Sequence, residues 1–208
     1  MGGALAEAAK TISIAEEDAL RADLYDFLGA MLASPPSSEL LSKAAGLAGD
    51  DTEIGRGVRA LSTIAGAMDQ PAARAEFEAL FIGLGRGELM PYGSYYLTGF
   101  LNEKPLATLR NDMARLGVDR APNVYEPEDN IASLCEMMAG MIRGRFYAAA
   151  SLDEQRRFFN THVGPWARHF FSDLAAAKNA VLYAPIGAIG QAFMEIEREA
   201  FRMAGAEA

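Results

Sequence analysis

Helical periodicity runs through almost the whole chain, and it restricts the fold more than any single motif does. From Glu16 onward, apolar residues recur at i, i+3 and i+4 positions in one segment after another, which is typical of helices with one buried face. No segment shows the sustained period-two alternation that indicates a half-buried strand. The sequence therefore predicts an all-α protein, a single globular multi-helix bundle of about nine helices.

Prolines, glycines and capping residues separate the helical segments. The first helix should end before Ser34, because Pro35 and Pro36 cannot continue it and disfavour helical backbone in the residue before them. The other predicted helix starts and ends are Ser37 or Ser38, Thr52, Pro71, Pro105, Gly117, the capping box Ser151 and Glu154, Pro165 and Pro185. These boundaries predict short connections between successive helices.

The chain is predicted to form one domain. At 208 residues it is long enough to bury a self-sufficient core. Residues 1–15 are predicted to form a flexible N-terminal arm, residues 16–208 a single all-helical domain, and the polar segment 118–125 a hinge between the N- and C-terminal halves. The glycine-rich segment 83–100 is predicted to be an ordered surface connection. Its Gly-x-Gly-x-Gly pattern does not indicate a nucleotide cradle, because a helix and not a strand precedes it.

Charge and cysteine content exclude several functions. The chain has 19 Lys and Arg against 28 Asp and Glu, whereas nucleic-acid affinity depends on cations that neutralise phosphates. The single cysteine, Cys135, cannot form an intramolecular disulfide and is predicted to be a buried small hydrophobic residue. The N-terminus lacks the charge order of a secretion signal, and no segment reaches the roughly 18 apolar residues of a membrane span. We therefore expect a cytoplasmic protein without a nucleic-acid partner or stable membrane insertion.

The stretch 125–145 joins an acidic, proline-containing lead-in to a methionine-rich helical pattern. Glu126, Glu128 and Asp129 are predicted to occupy the first helical turn, where free backbone N–H groups and the helix dipole favour carboxylates. Pro127 suits the first helical position. The apolar stripe behind them consists of Ile131, Leu134, Cys135, Met138, Met141 and Ile142. Two interpretations follow: a well-capped core helix, or an acidic pocket beside an adaptable, sulfur-rich surface.

The two histidines leave one alternative function open. Neither His162 nor His169 has a glutamate three residues before it, as a helical di-iron site requires, and no nucleophile elbow, Walker loop or HExxH sequence occurs. A shared metal ion would need one continuous helix through both histidines, which Pro165 disfavours. The alternative is a helical metal-binding or enzymatic bundle that uses both histidines and carboxylates of the last helix such as Glu195 and Glu199.

Three segments together resemble the TorD/DmsD/NarJ family of cytoplasmic chaperones that mature redox enzymes. They are FEALFIGLGRGELMPYGSYYLTGF (77–100), EPEDNIASLCEMMAGMI (126–142) and FFNTHVGPWARHFFSDL (158–174). Their order and helical setting agree over most of the chain, with residues 1–15 outside the match. The family's Glu-Pro-x-Asp-His pattern is matched by Glu126, Pro127 and Asp129, whereas Asn130 stands at the histidine position. This difference removes a titratable donor but keeps a hydrogen-bonding side chain.

The resemblance implies a chaperone and not an enzyme, one that holds the apo form of a molybdoenzyme during cofactor insertion and defers its export. Its partners would be the twin-arginine signal peptide and the catalytic subunit of the client. The segment LYAPIGAIGQAF (182–193) looks closest to members associated with formate dehydrogenases. The residues implied in peptide contact are Glu126, Pro127, Glu128, Asp129, Asn130, Pro91, Tyr92, Ser94 and Tyr95, with His162 and Trp166 in addition. We expect no cofactor or metal, and either a monomer or a helix-swapped dimer.

The chemistry of these residues is compatible with such a role. Carboxylates at Glu126, Glu128 and Asp129 can accept bidentate, charge-assisted hydrogen bonds from an arginine pair. Methionine and aromatic side chains can hold the apolar part of a signal peptide as a helix in a groove. This interpretation requires Asp129 to be exposed at a helix start.

Overall fold

The protein is described by a computed structural model, and the residues that it describes form ten α-helices connected by loops. The described residues are 15–83, 86–120, 124–146 and 148–206. The helices are α1 (Glu16–Ala33), α2 (Ser38–Ala45), α3 (Glu53–Ala67), α4 (Gln70–Phe77), α5 (Gly93–Thr98), α6 (Lys104–Leu116), α7 (Ile131–Arg143), α8 (Leu152–Phe158), α9 (Ala167–Ala176) and α10 (Tyr183–Ala206). Since the described ranges contain no β-strand, the predicted all-α class is confirmed.

Two further features concern the helices. The π-helical turns Glu78–Ile82 and Phe159–Val163 directly continue α4 and α8. None of the helices, over the ranges described, is both long and apolar enough to cross a lipid bilayer.

Local caps begin and end several helices at the predicted residues. Ser37 caps α2 and Thr52 caps α3, each accepting a hydrogen bond from a backbone N–H three residues later. Ser151 and Glu154 form the reciprocal capping box of α8. Gly117 ends α6 in the left-handed conformation, with φ of 66°. Caps of this kind each stabilise a helix by about 1 kcal/mol, so these boundaries are determined locally.

One helix was missed by the sequence analysis. α5 lies inside the segment 83–100, which was predicted to be a surface connection, and it accounts for the tenth helix where about nine were expected. It has only 6 residues. A segment this short completes fewer than two turns and cannot show a repeating apolar pattern.

The start of α7 differs from the prediction. The helix begins at Ile131, and the side chain of Asn130 caps it by accepting a hydrogen bond from the N–H of Ala132 at 2.9 Å. The residues predicted for the first turn but found before the helix are Glu126, Pro127, Glu128 and Asp129. The prediction of an acidic first turn was therefore wrong. Asn130 has extended backbone (φ −62°, ψ 138°) and caps the N-terminus, so the helix starts about one turn later than predicted.

Several predictions fall partly outside the described residues. The predicted arm 1–15 is described only at Ala15, and the predicted hinge 118–125 only at 118–120 and 124–125. The helical pattern of the stretch 125–145 predicts that α7 continues to its end. The helix ends earlier, at Gly144, whose φ of 70° suits glycine.

α7 forms the centre of the core. It packs against α1, while α10 packs against α3 and α9. The buried stripe contains every residue predicted for it: Ile131, Leu134, Cys135, Met138, Met141 and Ile142. The core interpretation of this helix is thus confirmed, and each buried side chain contributes roughly 1.5–3 kcal/mol. Met138 and Met141 are not part of a sulfur-rich surface.

Small residues allow two helices to approach closely. A Cβ atom at Gly187 would collide with the backbone of Ala175, and one at Gly190 would collide with the ring of Phe171. Both glycines lie on α10 and face α9. Any larger residue there would separate the two helices.

A polar network is buried where α1 meets α10. Glu197, which is 1% exposed, accepts two hydrogen bonds from the guanidinium of Arg21, at 2.7 and 2.8 Å. The hydroxyl of Tyr25 donates a third, at 3.0 Å, and burial raises the pKa of this tyrosine. Among the described residues, all of the hydrogen bonds to the Glu197 carboxylate therefore come from α1, and they fix the position of α10 against it.

Candidate functional site

Two segments that are far apart in the sequence lie side by side at the candidate site. Tyr92 and Asn130 form an isolated antiparallel β-bridge, in which the N–H of Gly93 donates to the carbonyl of Asp129 and the N–H of Ile131 to that of Pro91, both at 2.9 Å. We call the paired segments 91–93 and 129–131 the Tyr92–Asn130 bridge. It brings the proline–tyrosine loop of the first resemblance segment directly against the acidic segment of the second.

A groove lies on one side of the bridge, and we call it the Tyr92 groove. Its volume is about 650 Å³. Its lining residues are Leu32, Ala33, Ser34, Pro35, Phe77, Phe81, Ile82, Pro91, Tyr92, Val124, Glu126, Asn130, Ala132, Ser133 and Glu136. Glu126 is exposed, and the hydroxyl of Tyr92 donates a hydrogen bond to its carboxylate. Burial together with this hydrogen bond raises the pKa of Tyr92, so the tyrosine stays a donor.

A second cleft, which we call the Glu128 cleft, adjoins the Tyr92 groove. Its volume is about 500 Å³, and it shares Val124, Glu126, Ser133 and Glu136 with the groove. The carboxylate of Glu128 is buried there between two arginines of the chain itself, Arg110 at 2.9 Å and Arg120 at 2.8 Å. Glu128 is therefore already paired and does not offer a free carboxylate to a ligand.

The two arginines also control the titration of Glu128. Burial by itself would raise its pKa, but the hydrogen bonds from Arg120 and Arg110 outweigh burial and lower the pKa to about 2. A carboxyl whose pKa is lower in the folded state stabilises the fold above its ordinary pKa of 4.5, and this stabilisation is lost as the pH falls towards 2.

Glu128→Gln should therefore lower the free energy of unfolding by about 2 kcal/mol at pH 7. This figure is smaller than the full pKa shift implies, because Arg110 and Arg120 are half-exposed to solvent. Urea titrations between pH 7 and pH 3 should show the difference from wild type shrinking as the pH falls. Glu126→Gln is the control and should unfold like wild type. A difference that stayed constant with pH would contradict the role of the ion pairs.

A third cleft, the Asp129 cleft, lies on the opposite side of the bridge and has a volume of about 410 Å³. It is lined by Gly93, Leu97, Thr98, Lys104, Pro105, Thr108, Leu109, Asp129, Leu134, Thr161 and His162. Asp129 is only 3% exposed, so the expectation of an exposed carboxylate at a helix start was wrong. Its Oδ2 accepts a hydrogen bond from the N–H of Ser94 at 2.6 Å, because the bridge brings the two residues together.

His162 lines the Asp129 cleft, and the side chain of Trp166 lies against Gly93 of the same cleft. Nε2 of His162 lies 2.7 Å from Oδ2 of Asp112, and burial lowers the pKa of the imidazole against the opposing effect of this carboxylate. Trp166 is 1% exposed and donates from Nε1 to the carbonyl of His162 at 2.7 Å. A Cβ atom on Gly93 would lie 3.0 Å from that Nε1. Trp166 is therefore a buried support beneath the bridge and not an exposed contact residue.

The remaining predicted residues occupy different positions. Tyr95 is half-buried and lies against Arg86, whose guanidinium carbon is 5.0 Å from the tyrosine ring centre. Tyr95 lines none of the three clefts. The carbonyl of Pro127 accepts a hydrogen bond from the N–H of Asn130 at 3.1 Å, and the hydroxyl of the buried Ser94 has no hydrogen-bond partner within the described ranges. The bridge thus brings Tyr92, Glu126 and Asn130 together in the Tyr92 groove, whereas Asp129 lines the cleft on the opposite side.

The metal-binding alternative has no support in the part of the chain that the structure describes. Those residues contain no group of three or more His, Cys, Asp or Glu side chains that could hold a metal ion. His169 is exposed, and His162 is engaged with Asp112. Glu195 forms ion pairs with arginines, and Glu199 pairs with Arg202.

Sequence reasoning missed both π-helical turns and Glu136. The turn Glu78–Ile82 contributes Phe81 and Ile82 to the Tyr92 groove, and the turn Phe159–Val163 contributes two residues to the Asp129 cleft. Such turns are rare and frequently occur at functional sites.

Glu136 lines both the Tyr92 groove and the Glu128 cleft, and burial together with the charge of Asp26 raises its pKa. Its signal in the sequence is one carboxylate on an otherwise apolar helix.

Comparison with known proteins agrees with this architecture. The family model for the nitrate reductase delta subunit matches residues 47–172, which is more than half of the chain. The chaperone protein TorD of Vibrio cholerae serotype O1 is 26% identical over 198 residues, covering 86% of this chain and 90% of that protein. The TorD chaperone of Vibrio parahaemolyticus is 34% identical over 70 residues, or 33% of each chain.

A solved structure shows the same fold. The crystal structure assigned to a redox enzyme maturation protein from Archaeoglobus fulgidus superposes with a TM-score of 0.56 at 21% identity, covering 85% of this chain and 94% of that one. The family model and the TorD chaperones that it resembles place the chain among the redox-enzyme maturation chaperones. The chain belongs to the nitrate reductase delta subunit family, which contains the TorD and NarJ chaperones.

Proposed function

We propose that this chaperone binds the twin-arginine signal peptide of an immature molybdoenzyme, assists insertion of the client's cofactor and defers its export. The observation that carries the proposal is the exposed carboxylate of Glu126 at the edge of a groove of about 650 Å³ that has one apolar wall. A twin-arginine signal peptide has the matching chemistry, because its cationic arginines precede an apolar segment.

Glu126 is the carboxylate best suited to an incoming arginine. It is exposed, its carboxylate accepts a hydrogen bond from the Tyr92 hydroxyl, and it lines both the Tyr92 groove and the Glu128 cleft. Glu136 lines the same two spaces and has no ion-pair partner among the described residues. Guanidinium groups bind carboxylates bidentately, so this pair of acids favours arginine over lysine.

The apolar wall of the Tyr92 groove suits the remainder of the signal peptide. Phe77, Phe81 and Ile82 come from the end of α4 and its π-helical turn, and Leu32 from the end of α1. Ile82 is 57% exposed and Val124 43% exposed, so apolar surface continues from the floor of the groove to its rim. An amphipathic segment of the peptide would cover this surface as a helix in a groove.

The client is proposed to be the catalytic subunit of a molybdoenzyme, with a formate dehydrogenase favoured by the resemblance of 182–193. Binding the signal peptide would hide it from the export machinery until the enzyme is complete. This role needs no catalysis by the chaperone. It requires only that the peptide be released once the client has folded.

A direct binding measurement tests the proposal. A synthetic twin-arginine peptide with its apolar region should bind with micromolar or better affinity by calorimetry, and binding should weaken as salt is added. A Lys-Lys version should bind more weakly, because an ammonium cannot form the bidentate pair. Glu126→Gln should weaken binding of the Arg-Arg peptide, whereas Glu199→Gln, a matched exposed acid on α10, should not. Equal affinity for both peptides, or no binding of either, would refute the proposal.

A further inference from the structure

The apolar wall of the Tyr92 groove is built from two segments that are distant in sequence. One is the end of α1 with the residues that follow it, 32–35. The other is Phe77 at the end of α4, with Phe81 and Ile82 of the π-helical turn. The shape of the groove therefore depends on the contacts that hold these two segments relative to each other.

Tyr183, the first residue of α10, contacts both segments. Its ring centre lies 5.5 Å from that of Phe81 and 6.0 Å from that of Phe77. Its hydroxyl donates a hydrogen bond to the carbonyl of Met31 at 2.9 Å, directly before the groove-lining end of α1. The side chain is 0% exposed, so it cannot touch a peptide in the groove. Tyr183 joins the two segments from behind.

The carbonyl of Met31 needs this donor because of a proline. In an α-helix the carbonyl of residue i accepts a hydrogen bond from the N–H of residue i+4. For Met31 that residue is Pro35, which has no N–H. Met31 is buried, and a buried carbonyl without a donor is costly. The Tyr183 hydroxyl supplies the missing bond and thereby fixes the end of α1.

Two carboxylates hold the segment before Tyr183 against the other part of the wall. Glu76, on α4, accepts hydrogen bonds from the N–H groups of residues 181–183, at 2.8, 3.1 and 2.9 Å. Glu88, beyond the π-helical turn, accepts those of Lys178 at 2.7 Å and Asn179 at 3.2 Å. These residues flank the turn on both sides along the chain, so the turn is tied to the start of α10.

We propose that Tyr183 is a positioning residue of the Tyr92 groove, one that fixes the shape of the apolar wall and thereby determines which apolar side chains of the signal peptide the groove accepts. This inference rests on the proposed function. A wall that is held from behind cannot open for a larger side chain, whereas a loosely held wall adapts to it. Apolar pockets of fixed shape discriminate about tenfold or more between side chains of different size.

A series of twin-arginine peptides tests the proposal. Each apolar position of the peptide carries Leu or Trp in turn, and calorimetry gives the affinity for wild type and for Tyr183→Phe. At the position that meets the wall, wild type should bind the Leu peptide about tenfold more tightly than the Trp peptide. Tyr183→Phe keeps the ring but leaves the Met31 carbonyl without its donor, so this preference should fall to about twofold.

Two controls distinguish positioning of the wall from general loosening of the fold. Tyr25→Phe also removes the hydroxyl of a tyrosine that is 0% exposed, but that hydroxyl binds Glu197, and neither residue lines the groove. It should keep the wild-type preference for Leu over Trp. Replacing Arg-Arg in the peptide by Lys-Lys should weaken binding to wild type and to Tyr183→Phe by the same factor, because Tyr183 acts on the apolar wall. Thermal unfolding establishes that each variant is folded at the temperature of the titration.

The outcomes separate this inference from the proposed function. If the twin-arginine peptide binds, but wild type shows no preference or Tyr183→Phe retains it in full, the positioning role is wrong and the signal-peptide function stands. The same holds if Tyr25→Phe loses the preference equally, or if the Lys-Lys factor changes in Tyr183→Phe. If no twin-arginine peptide binds wild type, both are wrong. Loss of the preference in Tyr183→Phe alone supports both.

Discussion

Trp166→Ala should lower the free energy of unfolding by about 4 kcal/mol, because it removes a large, fully buried side chain and leaves a cavity. The indole packs against Tyr96 and Phe170 at ring-centre distances of 5.3 and 6.1 Å, and it donates a hydrogen bond to the carbonyl of His162. Gly93 packs directly against the indole, so the position of the Tyr92–Asn130 bridge depends on Trp166. Urea or thermal unfolding followed by circular dichroism measures the loss.

Two control variants separate support from direct contact with the peptide. Trp166→Phe keeps an aromatic ring but leaves the His162 carbonyl without its donor, so we expect a smaller loss of stability. Tyr125→Ala removes an aromatic side chain that is 85% exposed and should leave stability unchanged. If Trp166→Ala were as stable as wild type but unable to bind the signal peptide, the tryptophan would be a contact residue and the structural assignment would be wrong.

Arg21→Leu should destabilise the protein by about 3 kcal/mol, because it leaves the carboxylate of Glu197 buried without its charged partner. Glu197 is 1% exposed and receives two of its hydrogen bonds from this guanidinium. The midpoint of urea denaturation should fall, with little change in the slope of the transition. Loss of Arg21 should also loosen the contact between α1 and α10.

The double variant Arg21→Leu with Glu197→Leu distinguishes an unpaired charge from lost packing. Since it removes both partners, we expect it to recover much of the lost stability. Arg202→Leu is the matched control, because this exposed arginine on α10 pairs with Glu199 in solvent and should not shift the unfolding midpoint. A double variant less stable than Arg21→Leu alone would show that the network contributes more through geometry than through charge.

The fold was largely predictable from local patterns. Ser37, Thr52 and Gly117 cap helices where expected, since capping depends on one side chain or one backbone conformation within a few residues. The stripe of α7 is buried as its spacing predicts. The six residues of α5 escaped prediction because a segment that short has no periodicity and is stabilised by its surroundings.

The candidate site was predictable only in part. The resemblance implied peptide contact for residues of both the loop around Tyr92 and the segment around Asn130, and the bridge joins these two segments. The positions of the individual carboxylates were not predictable, because each depends on a partner distant in sequence. Asp129 is held by Ser94, 35 residues away, and Glu128 by Arg110, 18 residues away.

The amino-acid sequence by itself determined the helical class, most helix boundaries and the composition of the core, because periodicity, capping and proline sterics act over a few residues. Only the tertiary structure decided which acids remain available to a ligand. Glu126, Glu128 and Asp129 have similar side chains and stand within four positions of one another. One is exposed, one is neutralised by two arginines, and one is buried with an unpartnered oxygen. The difference arises because the charge and desolvation of a carboxylate depend on the neighbours that folding places around it.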